Sequence, residues 1–226
     1  MLKSRKKQIL TISSIAVLTA AMASIGVVLA ILAKNVESRA NVFTFSNMDI
    51  TLTEPEWKDD PVVYPGAENK KDPTVTNTGA NPLYVYLQVK IPRGSVDVVK
   101  VQDGKEYTAL EVHDLLRYSP DPNVDWVKII DSEDEEDQAY GEDGYHVVIY
   151  AYELELAPKE STSPLFETVI FSEDILEAEP GVGTSLDMPI TAYAIQSRHL
   201  NTTGDDLKTK LTNAFKTHMD ATQNQK

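Results

Sequence analysis

The chain contains no cysteine. That excludes a disulfide scaffold, a zinc ribbon, an iron–sulfur site and a thiol nucleophile. Histidine is scarce as well: His113, His146, His199 and His218 are the only four. None falls in an H-E-x-x-H pattern, the spacing that sets two imidazoles on one helical face beside a base. There is no G-x-S-x-G elbow and no P-loop. Gly181-Val182-Gly183 lacks the third glycine and the strand-to-helix setting of a dinucleotide loop, so it reads as a turn. Positive charge is short too: 21 Lys and Arg stand against 35 Asp and Glu, a formal charge of −14. A surface this acidic repels nucleic acid and anionic lipid. It favours solubility, cations and basic partners.

The positive charge that exists is concentrated at the start. Lys3, Arg5, Lys6 and Lys7 precede 25 uncharged, largely apolar residues, Ile9 to Ala33. Ser38-Arg39-Ala40 follows, with small residues at the two positions a signal peptidase reads, so cleavage falls between Ala40 and Asn41. Positive charge before the apolar run places the downstream chain outside the cell. The run is long enough to span a bilayer, although Thr11, Ser13, Ser14 and Gly26 weaken it as an anchor. Residues 1–40 are therefore a signal peptide or an N-terminal membrane segment, and membrane contact is expected through that segment alone. The remaining residues, 41–226, suit one domain able to bury a core without cross-links.

That domain reads as strands punctuated by turns. Phe43 and Phe45 alternate with polar residues, then Met48, Ile50 and Leu52 alternate in the opposite phase, with the slip at Ser46-Asn47. Period-2 alternation predicts a strand over Val42 to Thr53, and the slip predicts a bulge or short turn. Pro65-Gly66 and Asn77-Thr78-Gly79 mark turns around a short strand at Thr74-Val75-Thr76. Leu83 to Ile91 is the clearest strand: Val85, Leu87, Val89 and Ile91 share one face, and Pro92 ends it. Residues 93–145 read as an insertion. It holds a strand over Val96 to Val101 ended by Asp103-Gly104, a short helix over Ala109 to Arg117 from the capping-box spacing of Thr108 and Glu111, a strand over Val124 to Ile130 and an acidic run. Strands follow at Tyr145 to Leu156, Glu167 to Ser172 and Ser185 to Gln196. Leu207, Leu211, Phe215 and Met219 predict a C-terminal helix behind Thr203 or Asp205 as caps. The expected fold is mainly β, an antiparallel jelly-roll-like β-sandwich with short helices in the insertion and at the C-terminus.

Val42-Phe43-Thr44-Phe45-Ser46-Asn47-Met48-Asp49-Ile50-Thr51-Leu52 directly after an export signal, then Tyr64-Pro65-Gly66 and Lys71-Asp72-Pro73-Thr74-Val75-Thr76-Asn77-Thr78-Gly79, resemble the TasA/camelysin family of Gram-positive bacteria. The resemblance is sharpest over residues 1–91, and Ala192-Tyr193-Ala194-Ile195-Gln196 adds to it; 93–145 has no match. It implies processing by a SipW-type signal peptidase, a jelly-roll-like domain, and a place among secreted biofilm-matrix fibre subunits or accessory surface proteins. Partners would be further copies of the chain or related matrix proteins.

Three functions are open at this stage. The first is a structural subunit or accessory component of an extracellular fibre. Its first strand, with Val42, Phe43, Phe45, Met48, Ile50 and Leu52, would add to the sheet edge of a neighbour by donor-strand exchange. Head-to-tail addition that does not close makes a filament. The second is a monomeric cell-surface domain that binds a wall polymer, a host protein or a cation. Asp131, Glu133, Asp134, Glu135 and Asp137 are the densest carboxylates for calcium, though they lack EF-hand spacing and such runs are usually solvated loops. Trp57 and Trp126 can line a carbohydrate surface or simply pack in the core. The third is a camelysin-like metallopeptidase, which would need scattered ligands such as His113 or His146. No cofactor and no enzyme activity are expected from the motifs.

Overall fold

The computed structural model describes residues 40–43, 49–57, 64–178, 188–200 and 204–223. Residues Arg39–Lys226 form one compact unit that contains every described element. The apolar run, Ser38, Phe45, Met48, Gly181-Val182-Gly183 and Thr203 lie outside the described residues, as do the side chains of Val42 and Phe43.

Twelve strands carry the described fold: β1 Ala40–Phe43, β2 Ile50–Thr53, β3 Glu68–Lys70, β4 Thr74–Asn77, β5 Leu83–Gln102, β6 Lys105–Asp114, β7 Leu116–Ser119, β8 Trp126–Asp131, β9 Tyr145–Tyr152, β10 Thr168–Phe171, β11 Ile175–Ala178 and β12 Ile190–Gln196. One α-helix, α1, covers Leu207–Gln223. The main sheet runs β1-β12-β5-β9-β8, a second runs β3-β10-β7, and β2 pairs with β4. All pairings are antiparallel except β1 with β12. The mainly β, sandwich-like expectation holds.

The face of β5 read from sequence is the inner one. Val85, Leu87, Val89 and Ile91 pack with Ile50 and Leu52 of β2, Val75 of β4, Val169 of β10 and Tyr150 of β9. This is the sandwich core. The opposite face is closed as well. Tyr86, Val147, Ile149, Ala151 and Tyr193 pack against Leu211 and Phe215 of α1. Burial on both faces explains why β9 reads as an almost unbroken apolar run rather than an alternation.

Three expectations are corrected. Pro92 does not end the strand; β5 runs on for 20 residues in all. Lys90 N–H donates to the Pro189 carbonyl on the β12 side, and the last β12 residue in register is Ile190, opposite Val89. The N–H that proline lacks would point to that same side, past the end of the ladder, so its loss costs no sheet bond. Residues 109–117 are not helical; they lie in β6 and β7, with Leu115 as the bend between them. Asp103 and Gly104 both have positive φ, +52° and +72°. Two such residues close a tight hairpin whose twist imposes strand on both sides, and this outweighs a capping-box spacing. The helix in this stretch is instead a single 3-10 segment, Glu135–Tyr140, on the acidic run. Third, the cap of α1 is Asp206, not Thr203 or Asp205: its carboxylate accepts the Thr209 N–H at 2.8 Å and the Thr209 hydroxyl at 2.9 Å. That is the N-cap-to-N3 bond.

Beyond Pro92, β5 pairs with β6 over ten residues, Arg93–Asp114 to Gln102–Lys105, and with β11 on its other side. This arm has its own small core of Val96, Val98, Leu115 and Ile175. Residues 93–145 are thus woven into the body: β7 pairs with β10 and β8 with β9.

Candidate functional site

Charged side chains from four strands, β5, β6, β8 and β9, and from the loop after β8 converge where the arm leaves the body. His146, the second residue of β9, is 8% exposed. Asp114 closes β6 and Asp131 closes β8, so each strand end delivers a carboxylate to the imidazole. Nδ1 donates to Asp114 Oδ2 at 2.7 Å and Nε2 donates to Asp131 Oδ1 at 2.8 Å. Ionised carboxylates only accept, so both ring nitrogens carry hydrogen and His146 is an imidazolium. The bond to Asp114 is the main cause that raises its pKa, against the opposing effect of burial. Burial pushes the Asp131 carboxyl up, but Lys128, His146 and the Glu133 N–H together hold it down at about 2. Arg93 completes the seam, reaching Asp114 and Glu133 at 2.7 Å each.

Beside the seam lies a cleft of about 580 Å³, lined by His113, Asp114, Arg117, Asp121, His146 and Asp174 among others. His113 Nε2 sits 3.3 Å from Asp174 Oδ2. The two histidines weighed as zinc ligands therefore share one cleft. His146, however, spends both nitrogens on carboxylates and presents no lone pair to a metal.

The five carboxylates weighed for calcium do not gather round one point. Asp131 and Asp137 are buried, whereas Glu133, Asp134 and Glu135 are exposed. Asp131 pairs with Lys128 at 2.7 Å, and Asp137 pairs with Lys216 of α1 at 2.7 Å. The acidic run is thus partly a structural clasp on the C-terminal helix, not only a solvated loop. Asp131, Glu133 and His146 do bring one ligand atom each within 4.8 Å of one another. A calcium ion prefers six to eight oxygens; here one of three atoms belongs to an imidazolium and the other two already hold Lys128 and Arg93. This donor set fits a proton better than calcium.

The described residues of the expected assembly strand lie in two strands. Ala40, Asn41, Val42 and Phe43 make β1, paired in parallel with Ile190 to Tyr193 at the edge of the main sheet. Ile50 and Leu52 belong to β2, pair with β4, and are only 6% and 7% exposed in the sandwich core. Trp57 packs on the edge of that core, and Trp126 is buried in it. Sequence reasoning missed the seam: Asp114, Asp131 and His146 are far apart in the chain. The one available signal was a histidine interrupting the apolar run of β9. No family model, curated protein or solved structure matches the chain.

Proposed function

We propose that the protein is a secreted structural subunit or accessory component of an extracellular fibre, joined to its neighbours by exchange of the strand that follows the export segment. The observation that carries this reading is β1. It is the only parallel strand among the described pairings, and it holds the sheet through four register pairs with β12. Among the described residues no other strand pairs with it. A strand that lies at an edge and enters from the N-terminus makes the same backbone bonds whether it comes from its own chain or from a neighbour. Repetition of that exchange, head to tail, gives an open filament. The positively charged, apolar start and the likeness to TasA/camelysin sequences support export and a matrix role.

The donor in this reading is β1 alone. Ile50 and Leu52 are core residues, so removing residues 41–53 would also strip β2 from the domain. Negative-stain electron microscopy of residues 40–226 beside residues 49–226 is the test. Filaments from the longer form alone are expected. Monodisperse particles from both would sink strand exchange and favour a monomeric surface domain, in which the cleft with His113 and Asp174 is the place to seek a ligand. Chelator-sensitive casein cleavage lost in His113→Ala would instead favour a metallopeptidase.

A further inference from the structure

The β5–β6 arm ends in a strand edge with no partner among the described residues. β6 spans ten residues and pairs with β5 on one side alone. Ladder geometry identifies the groups it leaves open. Val99 N–H donates to the Asp174 carbonyl, on the side of β5 away from β6. The Val99–Thr108 pair is therefore a wide, non-bonded one, and so are the pairs two residues either way. Glu106, Thr108, Leu110 and Val112 consequently point their N–H and C=O groups outward. The same stretch exposes apolar surface: Val101, Leu110 and Val112 are 69%, 59% and 63% exposed. By register, Thr108, Leu110 and Val112 share one face of the arm with Val99 and Val101.

An open, apolar-flanked edge is a template for another strand, and the charges indicate which one. The chain carries −14, so most of its surface repels a second copy; over Lys105 to Glu111 one lysine stands against Glu106 and Glu111, and the register decides which of these charges meet. Antiparallel self-pairing of β6 about a two-fold axis keeps residues of like parity opposite each other. Centred on Thr108, it sets Lys105 against Glu111 of the second copy, twice by symmetry, and Tyr107 against Ala109. Centred on Leu110, it sets Glu106 against Asp114; centred on Glu111, it sets two glutamates face to face. Centred on Ala109, it makes no opposite-charge pair. Like charges directly opposite destabilise a ladder and unlike charges support it. We infer that β6 pairs with β6 of a second copy, in antiparallel register centred on Thr108, to make a lateral dimer of the protein. This contact uses neither β1 nor the export segment and stands apart from strand exchange.

The absence of cysteine allows a direct test. In a narrow antiparallel pair the Cα atoms are about 5.5 Å apart, within the roughly 4.4–6.8 Å that a disulfide spans. Residues 40–226 hold every described element of the compact unit and are the protein to use. Under mild oxidation Thr108→Cys is expected to give a covalent dimer. Glu106→Cys is expected to stay monomeric, because its symmetry mate is displaced by four residues, roughly 13 Å along the strand. In sedimentation velocity the unmutated protein is expected to dimerise reversibly. Thr108→Pro, which removes an outward N–H and no bond to β5, is expected to lose the dimer while keeping its far-ultraviolet circular dichroism. Equal cross-linking at 106 and 108, no cross-link at 108, or dimers that survive Thr108→Pro would overturn the assignment. Filaments without the 108 cross-link would mean strand exchange alone; the cross-link without filaments would mean the lateral contact alone.

Discussion

Phe215→Ala is expected to lower stability by about 4 kcal/mol and to free the C-terminal helix from the sheet. Phe215 is fully buried, with Leu211 one turn before it. Its ring lies 5.2 Å from Tyr86 and meets Tyr193 edge-on at 5.4 Å. Tyr86 also donates its hydroxyl hydrogen to the Leu211 carbonyl at 3.3 Å, a bond available only while the helix is docked. A 17-residue helix is marginal in water by itself, so tertiary contact must hold it. Truncating the ring removes the central anchor and leaves a cavity between two tyrosines. Urea unfolding followed by near-ultraviolet circular dichroism reads both effects. A loss under about 1 kcal/mol would show that the outer face of the sheet does not depend on α1.

His146→Leu is expected to cost about 2 kcal/mol at pH 6, below the full value for breaking a buried ion pair because Asp114 is partly solvated. The pH profile is the more specific readout. The folded pKa of His146 lies above its ordinary 6.5. Its contribution is therefore complete below about pH 6.5 and fades as the pH climbs through the raised value. A neutral imidazole has one N–H, so it cannot donate to Asp114 and Asp131 at once. Asp131 acts with the opposite sign. Its pKa is lowered from 3.8 to about 2, so its contribution is present above the ordinary value and lost as acid approaches pH 2. The seam is thus strongest between roughly pH 4 and 6.5. His218, whose pKa burial lowers, weakens the fold on acidification, so the difference between wild type and His146→Leu isolates the seam. Unfolding free energies from pH 5 to pH 9 should converge as the pH rises. A constant gap would sink the imidazolium assignment.

Sequence patterning revealed the inner face of β5 and the apolar stripe of α1 because each has a clean local period. Leu211 and Phe215 are both fully buried, as that stripe implied. It did not reveal that α1 lies on the main sheet and makes a core residue of Tyr86, on the opposite face of β5. Asp103-Gly104 is a strong hairpin signal, but the competing Thr108–Glu111 spacing hid β6. The short strands β3, β7 and β11 have no period of their own and exist because a neighbour pairs with them. The seam was invisible for a related reason: its geometry comes from the ends of strands that meet only after the sheet has formed.

β5 takes part in two cores without a break, through Val85 to Ile91 in the body and through Val96 and Val98 in the arm. At roughly 3.3 Å per residue, its 20 residues make a beam about 65 Å long. A pull on the arm tip runs along a strand held by β6 alone over Lys100 to Gln102 and flanked on both sides in the body, and the cross-strand bonds lie perpendicular to it. Such a load shears many bonds together instead of peeling them one by one. If copies are tied at the arms, the load passes along β5 into the body, and the fold yields first where strands are short and singly paired.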